Sequence, residues 1–215
     1  TDLTGVAFDA SDPSLSDSLD IMKYWTPATL LPASLPANSQ VLLYNTSTEI
    51  NKAPSSVLTY NGTSWFKGFF PAGDTLLHPY ESFVLRLPAG SDVELVFYGA
   101  VPMTKHRTVF NTDDGAGNGV QTDFRITYHC PVGASVAELG VGFNSGDQIL
   151  LFDNSVAEIN KAPSVVLTYN GTNWYRGFIL SDDYVIEPGQ SIVFRRVGGS
   201  VDTEVVWSSL PPYLQ

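Results

Sequence analysis

Cysteine is almost absent: Cys130 is the only one in 215 residues. No disulfide can form within one chain, so this is not a small disulfide-stapled scaffold. Cationic side chains are also scarce. Eleven Lys and Arg face 22 Asp and Glu, for a formal charge of −11 and a pI near 4.4. A surface of that sign repels phosphate backbones, which excludes nucleic acid as the expected partner. It also argues against anionic membranes. No apolar run approaches the roughly 20 residues that a spanning helix needs, so no membrane insertion is expected. A sustained helical period is missing too. There is no G-x-S-x-G, no phosphate-cradling glycine loop and no zinc motif. His78, His106 and His129 lack metal-ligand spacing. Nothing positive therefore points to an enzyme or to a cofactor. The hydrophobic share of 43% is enough to build a core.

What the chain does contain is itself, twice. Asn51–Phe69 reads NKAPSSVLTYNGTSWFKGF and Asn160–Phe178 reads NKAPSVVLTYNGTNWYRGF, identical at fifteen of nineteen positions. Such self-similarity has to be read before anything else about the fold. Downstream the copies keep a constant offset of 109, so Asp74 falls on Asp183, Arg86 on Arg195 and Pro102 on Pro211. Upstream, one inserted residue separates VLLYN at Val41–Asn45 from ILLFDN at Ile149–Asn154. Further back, IMKYWTP at Ile21–Pro27 matches RITYHCP at Arg125–Pro131. The parse is module one over 1–103 and module two over 104–215, with no Ser/Gly/Pro linker between them.

Nearly every apolar run is short and rich in β-branched and aromatic residues, with turn signals between runs. The expected fold is all-β, two tandem homologous modules of sandwich or barrel-like form. Single short turns are expected at Ser34–Pro36 and Ser135–Leu139. Asn61-Gly62 and Asn170-Gly171 suit two-residue type I′ hairpin loops. That register sets Leu58 opposite Trp65, Val57 opposite Phe66, Leu167 opposite Trp174 and Val166 opposite Tyr175. Apolar groups on both ribbon faces predict burial between two layers. Pro188-Gly189 suits a type II turn, and Pro79-Tyr80 a type I turn.

Several candidate sites follow. Trp65 and Trp174, with Phe66 and Tyr175, suit a sandwich core or interface first, with a sugar-stacking platform as the alternative. Asp113 and Asp114 in NTDDGAGNG, with Asp123 beyond, offer oxygen ligands for calcium, although the spacing is not that of an EF-hand. Glu49/Glu158, Asn51/Asn160, Lys52/Lys161, Lys67/Arg176, Asp74/Asp183 and Arg86/Arg195 are duplicated, and ion pairs at strand ends account for them. Nothing brings Glu49 and Asp74 together as a hydrolase pair. Asn45, Asn61 and Asn170 head glycosylation sequons. Cys130 beside His129 reads as a buried thiol, since adjacent strand residues face opposite ways.

The module pattern resembles a family of uncharacterised exported proteins from Verrucomicrobia and related bacteria. IMKYWTPATLLPA, QVLLYN or QILLFD, the EINKAP…LTYNGT.W block and IEPGQSIVFRR carry the resemblance. It implies secretion and no assigned activity. A start at Thr1 fits a processed product or a fragment, a removed signal peptide being one explanation. The expected role is therefore a secreted or cell-surface structural protein whose partners are copies of itself. An N-terminal strand, Leu3–Ala10, with Leu3, Val6 and Phe8 on it, would add to a neighbour's sheet edge. The alternative is a glycan-binding or adhesive module that uses the duplicated aromatics.

Overall fold

A computed structural model describes residues 25–45, 50–77, 82–95, 105–128, 130–156, 161–197, 202–211 and 214. Among them, fifteen strands and one α-helical turn occur, so the fold is all-β. The chain forms two compact units. Unit 1 comprises Thr1–Tyr44 and Pro54–Val101; unit 2 comprises Asn45–Ala53 and Pro102–Gln215.

In unit 1 the helical turn α1 (Pro27–Leu30) starts where Thr26 accepts from the Thr29 amide and Thr29 Oγ1 accepts from the Thr26 amide. Proline at the first helical position has its φ already set and no N–H to lose. Sequence reading missed this turn; the short one expected at Ser34–Pro36 is a hydrogen-bonded turn set slightly earlier, closed by Leu35 N–H to Pro32 O. Five strands follow: β1 (Gln40–Leu43), β2 (Ser56–Tyr60), β3 (Trp65–Lys67), β4 (Phe70–Pro71) and β5 (Val84–Arg86). They form an antiparallel sheet in the order β4-β3-β2-β1-β5. Val41, Leu58, Tyr60 and Trp65 share its buried face, with Leu31, Leu35 and Leu77 packed on them.

Unit 2 holds β6 (His106–Asn111), β7 (Thr122–Thr127), β8 (Ala134–Ser135), β9 (Gln148–Leu151) and β10 (Val165–Tyr169). Next come β11 (Trp174–Arg176), β12 (Ile179–Leu180), β13 (Val185–Ile186), β14 (Ser191–Arg196) and β15 (Glu204–Ser209). A six-stranded sheet runs β12-β11-β10-β9-β14-β7, beside the pairs β13-β8 and β15-β6. A 3-10 turn at Val136–Glu138 falls where one was expected. Phe110 of β6 packs 4.8 Å from Phe124 of β7, and Phe124 lies 5.9 Å from Phe194 of β14. The small β15-β6 pair thus closes one side of a core that also takes in Ile149, Leu167, Trp174 and Trp207. Neither large sheet closes on itself among the described strands, which favours the sandwich over the barrel.

The expected hairpin register is wrong by two residues. Tyr60 faces Trp65 and Thr59 faces Phe66; in unit 2 Tyr169 faces Trp174 and Thr168 faces Tyr175. The loop centres on Gly62-Thr63 rather than Asn61-Gly62. The side chain of Asn61 decides this: its Oδ1 accepts from the amides of Thr63 at 2.9 Å and Ser64 at 2.8 Å. Asn170 does the same with Thr172 and Asn173. An Asx turn replaces the φ > 0 Asn of a type I′ turn. A slip of two keeps every side chain on its face, so the tryptophans still point to the core. The ribbon is covered on one side only: Leu58 and Leu167 are sealed while Val57 and Val166 are exposed. Pro188-Gly189 forms the expected turn, with Gly189 at φ 72° and Gln190 N–H reaching Glu187 O. Pro79-Tyr80 lies outside the described residues, as do the N-terminal positions Leu3, Val6 and Phe8.

Candidate functional site

Two features stand out on these units, and each grows from the duplicated block. The first is the hairpin that follows the tryptophan strand. β3 turns into β4 through Gly68-Phe69, with Lys67 facing Phe70; β11 turns into β12 through Gly177-Phe178, with Arg176 facing Ile179. The glycines sit at φ 59° and 61° in open space. Glycine at the first central position with φ > 0 is the signature of a type II′ hairpin turn. The second central residue then points outward. Phe69 is 97% exposed and Phe178 fully so, with Phe70 at 76% and Ile179 at 70% beside them. Turn tips are normally polar, so an apolar pair exposed at the same tip in each unit is unusual. The tip strands are also sheet edges, β4 in one sheet and β12 in the other. Ala72 N–H bonds inward to Trp65 O, which leaves the missing N–H of Pro71 on the outer edge of β4. Leu180 stands at that place in β12 and keeps its N–H.

The second feature is a polar seat in unit 2. Asp123 on β7 and Arg195 on β14 face each other in register. Arg195 grips Asp123 with Nε to Oδ1 at 2.7 Å and Nη2 to Oδ2 at 2.9 Å. This bond raises the Arg195 guanidinium further above its ordinary range. The same two side chains hold Asn51. Its amide donates to Asp123 Oδ2 at 2.8 Å, and its Oδ1 accepts from Arg195 Nη2 at 2.7 Å. Asn51 adopts φ 49°, a left-handed conformation that asparagine tolerates better than most residues. Lys52 lies 5.8 Å above the Phe124 ring and closes its own loop by donating to Asn45 O at 3.4 Å. In the second copy Lys161 closes the corresponding loop by donating to Asp153 O and Val156 O.

A second polar group is structural. Arg196 donates to Asp147 Oδ2 at 3.0 Å, to Asp202 Oδ2 at 3.2 Å and to Gly142 O at 3.0 Å. Asp147 also accepts from the amides of Asn144 and Val197. Burial pushes the Asp147 carboxyl above its usual range, and those hydrogen bonds with the Arg196 charge only partly offset it.

The sequence candidates fall as follows. Trp65 and Trp174 are 4% and 2% exposed, so neither ring offers a face to a sugar, and Tyr175 is half-buried beside them. Asp113 and Asp114 are tied into their own loop. Asp113 Oδ1 accepts from the amides of Gly115 and Gly117, and Asp114 Oδ1 from those of Ala116 and Asn118. Asp114, a carboxylate on the surface, is held below its usual range, chiefly by the Asn118 side chain. Asp123 is spent on Arg195 and Asn51 instead of joining them, and no cluster of three metal-ligating acids, histidines or cysteines occurs among the described residues. The calcium expectation falls on that ground. The sequon asparagines Asn45, Asn61 and Asn170 are exposed. Cys130 is buried, and desolvation raises its thiol. Glu49, Glu158, Asn160, His78 and His129 lie outside the described residues.

Sequence reading missed the apolar tips, although a signal was present. KGF and RGF end the best-duplicated block, at Lys67–Phe69 and Arg176–Phe178, with glycine where a strand has to break. Comparison with family models, with curated proteins and with solved structures gives no match. No helix among the described residues is long and apolar enough to cross a membrane.

Proposed function

We propose that this chain is a non-enzymatic structural protein, secreted or displayed at the cell surface, that assembles with copies of itself into a fibre or layer. The observation that supports it is the pair of exposed apolar hairpin tips, Phe69-Phe70 and Phe178-Ile179. Covering one phenylalanine side chain is worth about 1.5–3 kcal/mol. A chain carrying the same tip at two places gains that term at more than one contact, which is the arithmetic of avidity. The net charge of −11 disfavours an anionic lipid surface as the cover. The duplicated polar residues also support a structural reading: Asn51, Lys52 and Arg195 are engaged in loop closure and strand-to-loop bonding. The resemblance to exported proteins supports the location. The glycan-binding alternative loses support with the burial of Trp65 and Trp174.

The test is sedimentation and electron microscopy of the purified chain across concentration and in sulfate, which strengthens apolar burial. Assemblies should grow with both. The double variant Phe69→Ser/Phe178→Ser should lose lateral growth while melting at the wild-type temperature. A wild-type chain that stays monodisperse in every condition overturns the reading.

A further inference from the structure

The two tips are built alike, but their sheet edges differ in one hydrogen-bond donor. Leu180 on β12 lies opposite Tyr175 on β11, and Ser181 N–H bonds inward to Trp174 O at 2.8 Å. Hydrogen-bonding direction alternates along a strand, so the N–H and C=O of Leu180 face away from β11. β12 ends its sheet among the described strands, which leaves those two groups open. Pro71 holds the same place in β4 and has no N–H to offer, one of the ways proteins blunt an edge. The repeat thus carries one closed edge and one open edge. Around the open one, the apolar side chains of Phe178, Ile179 and Leu180 are all exposed. Arg176 and Asp183 flank them, also exposed, and neither side chain has a hydrogen bond or ion pair with any other described residue. Both charges belong to the duplicated set, with Lys67 and Asp74 in their places in unit 1. The ion pairing expected of them at strand ends is absent among the described residues.

We infer that β12 pairs with β12 of a second copy of this chain, antiparallel and about a twofold axis, with Leu180 opposite its own counterpart. An antiparallel hydrogen-bonded pair of this kind is self-complementary: each Leu180 donates its N–H to the C=O of the other. The two leucine side chains then meet on one face of the joined sheets. Counting outward from the axis, Gly177 of each copy falls opposite Asp183 of the other. The tip that Arg176 leads into therefore lies beside the turn that carries Asp183. Each copy offers one cation and one anion, and the twofold sets each against its opposite. That charge match selects a second copy over a foreign strand. A twofold joint closes at two copies, so growth into a fibre or layer needs the Phe69 tip of unit 1 as a further contact. The inference rests on the self-association reading and gives it its first step.

The experiment is sedimentation velocity at low ionic strength on the full chain with Phe69→Ser, which silences the unit 1 tip. That chain should pass from monomer to dimer with concentration and stop there. Leu180→Pro copies the edge that unit 1 already accepts at Pro71. It removes the outward N–H, leaves the inward ladder whole, and should leave monomer. Arg176→Asp alone and Asp183→Arg alone should each leave monomer too, because like charges then meet twice. An equimolar mixture of those two restores both opposite pairs and should recover the dimer. Circular dichroism melting checks that each variant folds. If Leu180→Pro melts early, the charge variants and their mixture carry the test alone. A dimer that survives Leu180→Pro or either charge reversal, or a mixture that stays monomeric, overturns the β12 joint. So does a Phe69→Ser chain that is monomeric while wild type assembles, which leaves a tip contact standing. A wild type that never assembles overturns the self-association reading instead.

Discussion

Asp147 and Arg196 show what a single buried charge costs here. Both are almost fully sealed, and Asp147 accepts from two amides and one guanidinium arm. Removing the carboxylate with Asp147→Ala leaves Arg196 buried beside an empty place. A loss of about 3–5 kcal/mol is expected, measured by urea unfolding. The pH dependence has a definite sign. The folded Asp147 carboxyl titrates above its unfolded value, because burial disfavours its charge. Its contribution to stability is therefore most favourable at low pH and falls as pH rises from the unfolded pKa through the folded one. Asp114 and Asp153 have the opposite sign: their hydrogen bonds lower the folded pKa, so their contribution is present above the unfolded pKa and fades as pH falls through the folded one. Carboxyl chemical shifts followed by NMR should place Asp147 above the ordinary aspartate midpoint and Asp114 below it. Trp174 belongs to the same scale. It is 2% exposed, with Phe143 edge-on at 4.6 Å. Trp174→Ala should cost about 3–5 kcal/mol, as large-to-small changes in cores do, and an unfolded or strongly destabilised variant is the readout that separates core from ligand platform.

Among the elements, the paired hairpins decide most. The asparagine turn was legible as a turn, since Asn-Gly between β-rich runs marks a reversal. Its register was not, because two adjacent amides can be satisfied either by a backbone carbonyl or by the Asn61 side chain, and the sequence permits both. The side chain wins and moves the loop centre by one residue. Asn170→Ala should therefore cost about 0.5–1.5 kcal/mol, since water can replace the bonds to the exposed Thr172 and Asn173 amides, a loss that differential scanning calorimetry reads directly. The following turn was not anticipated as a turn at all. Lys67-Gly68-Phe69-Phe70 looks like strand by composition, but Gly68 at φ 59° ends the pairing and sends the chain back at once. Gly177→Val should break the equivalent tip, since a β-branched side chain is strained at φ 61°. The change should lower the melting temperature and the exposure of Phe178 together. The cap at Thr26 went unread: four residues carry no period, and only the capping bonds in the structure reveal the turn.

For the whole molecule, the unit boundaries do not follow the repeat boundaries. Asn45–Ala53 lies between two strands of the first sheet in sequence and belongs to unit 2 in space. Asn51 is held there by Asp123 and Arg195, residues far along the chain. Arg195→Ala should release that loop, with faster hydrogen exchange at the Asn51 amide and little change at β10–β11. The same exchange experiment on Asp123→Asn should show the loop loosened to a similar degree. What the sequence alone determined is local and periodic: an all-β chain, its duplicated block, and the turn at Pro188-Gly189. Those follow from side-chain alternation and backbone preference, which act over a few residues. The tertiary structure decided the rest. It put Asp123 on Arg195 rather than beside Asp113, sealed the tryptophans and left Phe69 and Phe178 uncovered. Such outcomes depend on which strands become neighbours, and strand pairing is a long-range choice that no stretch of one strand encodes by itself.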